Sequence, residues 1–429
     1  MNGNFSNEPI QKYCCVANDF GFDRVTCTKK ACEGDPERCP QVGIGFMIFN
    51  IGGGHVGTIA ANFATLFQTA FGVQGTVLAV EPATALAMDV YGFEISMIMG
   101  LGFIFGLVIA KLTPLKSIFL TGQHYLFFAA VIGLIFISNG MPTWVTVIFG
   151  SLVLGFAGAG LPKLAQKYTD ELTGNAGVAL GHFNLIFYWF SGVIGSVIGG
   201  KNWQAKKEKA ANRELPDFFS VFRDFVFSVA FFMIILFYIA TIAAVLSGHM
   251  DVVQEMAGND LWFLYPLIQG LQFAAGMSVL IYGVRQFIAE LTAAFVAISE
   301  KYIPGSMPAV DVPVFFQYAP TMVPVGFITS FIGGLTATFA MAAMGSPVVL
   351  LPAAGIAFFS GGTMGVFGSI RGGLKGAIIA SFLGGILLTA LPLVLFPAFS
   401  ELGITDAGFP QIDYNIIGIL LDKILKLFS

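Results

Sequence analysis

Long apolar runs, broken at intervals by a few charges and turn formers, set the organisation of this chain. They fall near 43–68, 93–112, 117–138, 142–161, 177–199, 220–247, 260–284, 315–344 and 372–398, with a shorter one near 412–428. Most are roughly 17–28 residues long, which is the length a helix needs to cross a bilayer. Three stretches between them are apolar without reading as simple spans. Residues 74–92 carry Glu81, Pro82 and Asp89. Residues 286–304 are amphipathic at helical spacing. Residues 346–370 form two short apolar runs around Ser360-Gly361-Gly362, which predicts a re-entrant hairpin.

Composition agrees with this pattern. The 429 residues are 56% hydrophobic and 11% charged, with a mean hydropathy of +0.81. Soluble domains carry about 25% charged residues, so the expected fold class is an all-α polytopic membrane protein in a lipid bilayer. The abundant glycines suit helices that approach closely or break. No segment supplies the basic face that nucleic acid requires. The sequence offers no His/Glu metal pair, nucleophile–base spacing or phosphate-binding Gly loop, so no catalytic residue, metal or cofactor is expected. Cys14, Cys15, Cys27, Cys32 and Cys39 all precede the first apolar run, in a polar segment 1–41 without paired Cys-x-x-Cys zinc spacing. That segment also lacks the apolar stretch of a secretory signal. Lys201, Lys206, Lys207, Lys209 and Arg213 make 201–217 the most basic loop, which the positive-inside rule places in the cytoplasm.

The chain also repeats itself. Ile59-Ala60 is followed after about twenty residues by Ala79-Val80-Glu81-Pro82. Ile288-Ala289 is followed after a similar gap by Ala309-Val310-Asp311-Val312-Pro313. About forty residues further on, each copy reaches a break, at Phe119-Leu120-Thr121-Gly122-Gln123-His124 and at Leu350-Leu351-Pro352-Ala353-Ala354. Two related halves of this kind build a transporter's site near the bilayer midplane. The repeats are expected at about 42–200 and 218–400, joined by the loop 201–217 and followed by a C-terminal segment 401–429.

Ordered blocks carry a family resemblance: Gly45-Phe46-Met47, Leu120-Thr121-Gly122, Gly181-His182, Leu215-Pro216, then Gly283-Val284-Arg285-Gln286-Phe287-Ile288-Ala289-Glu290-Leu291, Ile303-Pro304-Gly305, Ala309-Val310-Asp311, Tyr318-Ala319-Pro320 and Gly326-Phe327. The chain resembles the L-ascorbate-type permease component, enzyme IIC, of the bacterial phosphotransferase system. The resemblance runs over about 42–400 and is densest at 283–327. It implies a homodimer in the bacterial inner membrane, each protomer having a sugar-holding core and a V-shaped dimerisation domain. The substrate would be an ascorbate-like sugar acid or polyol, and the partners cytoplasmic enzymes IIB and IIA, of which IIB phosphorylates the arriving sugar. The alternative is an ion-coupled secondary transporter of a sugar acid or polyol that works without phosphorylation.

Asp311 is the leading substrate-binding candidate, because a carboxylate in apolar sequence must be paired or face a cavity and a polyol offers it hydroxyl donors. Glu81 is its repeat partner. His182 matches the Gly-His of the family's sugar site and can both donate and accept, with Asn184 nearby where the family has glutamine after the histidine. Thr121 and Gln123 belong to a motif in which the family has histidine at the Gln123 position and glutamine at Phe127. His124 stands one position on, about 100° away on a helix, and is not a direct replacement. A family helix expected before 43–68 has no counterpart in the polar leader, so the first transmembrane segment of the family is expected to be missing here.

Overall fold

Apolar helices account for most of the computed structural model, which describes residues 39–72, 74–200, 221, 224–405 and 407–427. The polar leader with its first four cysteines, the missing-helix expectation and the basic loop 201–217 lie outside the described residues. The order of elements is α1 (Cys39–Phe71), β1 (Gln74–Leu78), α2 (Val80–Leu112), β2 (Ser117–Phe119), α3 (Gly122–Ser138), α4 (Thr143–Thr173), β3 (Ala179–Leu180) and α5 (Leu185–Gly199). There follow α6 (Phe225–Leu246), α7 (Met250–Ala257), α8 (Tyr265–Tyr302), β4 (Met307–Val310), α9 (Pro313–Phe316), α10 (Met322–Ala343) and β5 (Val348–Pro352). The chain closes with α11 (Ala354–Ile356), a π turn at Ala357–Gly361, α12 (Gly362–Ala390), α13 (Pro392–Glu401) and α14 (Ile412–Leu425).

Among the described residues, five helical runs are long and apolar enough to cross a membrane: Val80–Leu112, Thr143–Thr173, Phe225–Leu246, Met322–Ala343 and Ala354–Glu401. Their outward faces carry Phe93, Ile104, Trp144, Phe156, Ile239 and Phe339, all exposed. Such faces are costly in water and neutral against acyl chains. The chain is therefore an all-α, multi-pass membrane protein. Local signals set several ends: Asp224 caps α6 by accepting from the Phe227 amide at 2.7 Å. Helix α4 stops at Gly174, which takes a left-handed φ of 68°.

The structure changes three details of the sequence reading. Residues 286–304 are no separate piece, since α8 runs unbroken from Tyr265 to Tyr302 and ends just before Pro304, where the residue ahead of a proline leaves the helical region. Residues 177–199 begin as extended chain, and the helix starts only at Leu185. In 346–370 the break falls after β5, and Ser360-Gly361-Gly362 lies within continuous helical backbone. The reversal comes at Gly373, whose φ of 57° and ψ of −149° belong to a region that only glycine occupies without strain. The arms on either side of Gly373 fold back on each other: Ser381 Oγ donates to the Gly361 carbonyl at 3.0 Å. A Cβ on Gly368 would sit 2.9 Å from the Gly376 carbonyl carbon, so the arms meet backbone to backbone.

The short strands tie the two halves together. In one sheet β4 is central and parallel to both β2 and β3, with Ala309 opposite Phe119 and Ala179. In the other β1 lies parallel to β5, with Leu78 opposite Pro352, and Val77 bridges in parallel to Ala407. β4 of the second half thus lies between two strands of the first, and β1 of the first half pairs with β5 of the second. The segment after residue 400 takes part in this exchange through Ala407 and through α14, which packs against α3 and α5.

Outside this interlocked region α1, α6 and α8 pack together. Gly52 of α1 presses against Leu280 of α8, where a Cβ would fall 2.7 Å from the Leu280 Cα. Close helix approach, rather than hinge freedom, is what the glycine run before His55 provides there.

Candidate functional site

Three parallel strands, β2, β4 and β3, release their chains on the same side, and that is where the polar residues gather. In parallel sheets ligands bind beyond the carboxyl ends of strands. Past β2 come Thr121, Gly122, Gln123 and His124 at the start of α3. Past β3 come Gly181, His182 and Asn184 at the start of α5. Past β4 comes Asp311. The start of α3 and the chain leading into α5 therefore bring polar side chains to a carboxylate that has left the central strand.

Asp311 is the hub. Its Oδ1 accepts from the Val312 amide at 2.8 Å and lies 3.1 Å from His182 Nδ1. Its Oδ2 accepts from Gln123 Nε2 at 3.1 Å. His124 Nε2 lies 4.0 Å from Oδ1, and the two imidazoles meet edge to face with centroids 4.0 Å apart. The histidine side chains are enclosed, at 6% exposure each, whereas that of Asp311 is 31% exposed. The carboxylate is thus the most open of the three side chains.

The histidines are held from behind. Tyr414 Oη donates to the His124 carbonyl at 3.1 Å and is 3.2 Å from His124 Nδ1. The tyrosine oxygen thus lies within hydrogen-bond reach of both the carbonyl and the ring nitrogen of His124, and Nε2 is the ring nitrogen on the Asp311 side. His182 Nε2 lies 3.4 Å from Ser360 Oγ, which accepts from Asn184 Nδ2 at 2.9 Å. Asn184 Oδ1 in turn accepts from the Ile412 amide at 2.6 Å.

The sequence-predicted residues therefore divide. Asp311, His182 and Gln123 come together. Thr121 is buried at the N-cap of α3, and a Cβ on Gly181 would lie 3.0 Å from its hydroxyl. Asn184 is fully buried with its polar atoms engaged by Ser360 and Ile412, so it supports the wall behind His182. Glu81 follows β1 on the other sheet, at the position that matches Asp311. On the side of β1 and β5 lies a small cavity lined by Leu78, Ser330, Pro352, Ile356, Leu388, Thr389 and Pro410.

Four contributors escaped the sequence reading. His124 faces Asp311 alongside Gln123, because both occupy the first turn of α3. Ser360, Asp413 and Tyr414 arrive from distant chain. Asp413 is completely buried and accepts from the Leu185 amide at 2.7 Å and the Ile186 amide at 3.1 Å, so it caps α5 from the start of α14. A buried Asp in an amphipathic C-terminal run was the one signal available for it.

Chemically, the cluster joins a partly open carboxylate, two enclosed imidazoles and an amide whose Gln123 Oε1 is buried with no hydrogen-bond partner among the described residues. Comparison with known proteins shows the family. The sequence model of a family described as PTS system sugar-specific permease component, EIIC-GAT, matches residues 40–413. The chain is also 26% identical over 396 residues to the ascorbate-specific PTS system EIIC component of Mycoplasma pneumoniae, strain ATCC 29342 / M129. That match takes in 80% of this chain and 59% of the relative, so the chain spans well under two thirds of that relative's length.

Proposed function

We propose a function from one premise: the chain belongs to the family of sugar-specific permease components of the phosphotransferase system. It binds a sugar acid or polyol at Asp311, His182 and Gln123, with Thr121 and Asn184 shaping the wall, and carries it across the bacterial inner membrane for phosphorylation by a separate enzyme IIB charged by enzyme IIA. The observation that carries this reading is the cluster of acceptors around Asp311. A buried acceptor without a donor costs about 1–3 kcal/mol, and the hydroxyls of a polyol supply donors at the spacing of neighbouring carbons. The named relative is ascorbate-specific, and Phe127 here stands where the family has a glutamine, which favours a related sugar acid with a more apolar edge.

Transport follows from the exchange of strands. Because each sheet draws on both halves, the sheets and the helices they feed move as one body, while α1, α6 and α8 supply a scaffold and a homodimer interface. The sugar travels with Asp311 on that body past the scaffold. The core and V-shaped parts of the resembling family correspond to these two groups of helices.

Vesicle uptake tests the proposal. Phosphorylated sugar accumulates only with phosphoenolpyruvate and the general phosphotransferase components, and Asp311→Asn lowers affinity for the sugar at least tenfold while leaving the oligomer intact. Free sugar accumulating under a proton gradient alone refutes the phosphorylation-coupled reading, and unchanged affinity in Asp311→Asn refutes the site.

A further inference from the structure

His124, His182 and Asp311 place one donor atom each within 4.8 Å of one another, and we propose that they form a binding site for a divalent transition-metal ion. Two imidazoles and one carboxylate are the donor set of open, three-ligand metal sites. Around a tetrahedral ion with bonds of about 2.0–2.2 Å, neighbouring donors lie about 3.4 Å apart. The observed separations, 3.1 Å for His182 to Asp311 and 4.0 Å for His124 to Asp311, bracket that value, so small side-chain movements complete the triangle.

The surroundings are those of ligands already oriented. A metal-binding imidazole hands its second ring nitrogen to an oxygen acceptor, which fixes the tautomer. For His124 that acceptor is Tyr414 Oη, 3.2 Å from Nδ1. Nε2, 4.0 Å from Asp311 Oδ1, is then the ring nitrogen presented to the metal. His182 has the same provision: Ser360 Oγ sits 3.4 Å from Nε2, and its remaining lone pair takes the proton when Nδ1 turns to the metal. Gln123 Nε2 and the Val312 amide steady the carboxylate from the sides.

Exposure distinguishes this from a closed structural centre. The imidazoles are enclosed and the carboxylate is open, so an ion here keeps coordination positions toward the incoming solute. A sugar acid, with adjacent hydroxyl and carboxylate or enediol oxygens, chelates such an ion. The metal site stands on the protein geometry alone, and the chelation step rests on the sugar reading given above.

The test uses the full chain, purified in detergent, with Cys14→Ser, Cys15→Ser, Cys27→Ser, Cys32→Ser and Cys39→Ser so that thiols contribute nothing. After dialysis against chelator it is titrated with Zn²⁺ by calorimetry and with Co²⁺ by visible absorption. One saturable equivalent with cobalt ligand-field bands is expected. His182→Ala and Asp311→Asn remove it, and Tyr414→Phe, which keeps the ring and loses the acceptor behind His124, weakens it on the order of 10–100-fold. Absence of saturable binding, or binding indifferent to His182→Ala and Asp311→Asn, overturns the proposal. L-Ascorbate binding measured with and without chelator separates the two readings. Sugar binding that persists in chelator, with no metal uptake, overturns the metal site and leaves the permease reading standing. Metal uptake without sugar binding supports the metal site alone.

Discussion

Replacement of Asp413 tests how the two halves are locked together. Its carboxylate accepts two backbone amides at the first turn of α5, at 2.7 and 3.1 Å, in a fully buried position. Asp413→Ala leaves both amides without an acceptor, at about 1–3 kcal/mol each, or roughly 2–6 kcal/mol together. Loss of a negative charge at the positive end of α5 adds about 0.3–1 kcal/mol. Asp413→Asn keeps the shape and one acceptor oxygen, so about half the penalty is expected. The Asn184–Ile412 bond at 2.6 Å is retained in both variants. Denaturant midpoints in detergent give the global cost, and hydrogen exchange at the Leu185 and Ile186 amides gives the local one. Trp189, on α5, reports loosening of that helix by fluorescence. The expected order of stability is wild type, then Asn, then Ala, with protection at the two amides lost in step. Equal stability of all three proteins, or an Asn variant as unstable as Ala, shows that the carboxylate does not cap α5 and refutes the reasoning.

Two further substitutions probe the frame. Gly373→Ala forces a Cβ onto a backbone at φ 57° and ψ −149° and lowers stability by about 1–3 kcal/mol; an unchanged denaturation midpoint excludes this reversal between the arms of α12. Arg371 of α12 donates through Nε to Glu171 of α4 at 2.8 Å and lies 5.6 Å from the centre of the Tyr168 ring. Arg371→Met removes the cation from beside a largely enclosed Glu171 and costs about 1–3 kcal/mol, most of which the added Glu171→Leu restores. A double variant no more stable than the single one rejects that account.

The spans were legible in the sequence because hydropathy and length are enough to define them. The re-entrant turn was misplaced, although Arg371-Gly372-Gly373 carried a glycine signal, because the Ser360-Gly361-Gly362 cluster carried a competing one and proved to be a site of close helix packing. The extension of α8 was hidden by a change in the type of pattern: uniformly apolar to 284, amphipathic beyond it, with the same helical period throughout. The strands are two to five residues long, too short for alternation to show, and so their exchange between halves was invisible. Asp311, His182 and Gln123 were reached through local motifs. Helical phase separates His124 from Gln123 by about 100°, yet it says little in a first turn whose neighbouring residues both face one carboxylate. Ser360 and Tyr414 depend on contacts spanning 178 and 290 residues and have no local signature.

The exchange also explains why a repeated carboxylate yields one polar site. Asp311 directly follows the central strand of the three-stranded sheet, and Glu81 stands in the first turn of α2, past β1 of the two-stranded one. The flanking chains differ. Beside Asp311, the flanks continue into Gln123-His124 and His182. On the other sheet, β5 continues into Ala353-Ala354-Gly355-Ile356-Ala357-Phe358-Phe359 and the Ala407 bridge into Gly408-Phe409-Pro410, with no polar side chain in either run. The strands beside β4 belong to the first half and β5, beside β1, to the second, so neither half alone determines the chemistry at its own carboxylate. The polar residues that reach Asp311, namely Gln123, His124 and His182, all come from the first half, so a change there alters the setting of a carboxylate that belongs to the second.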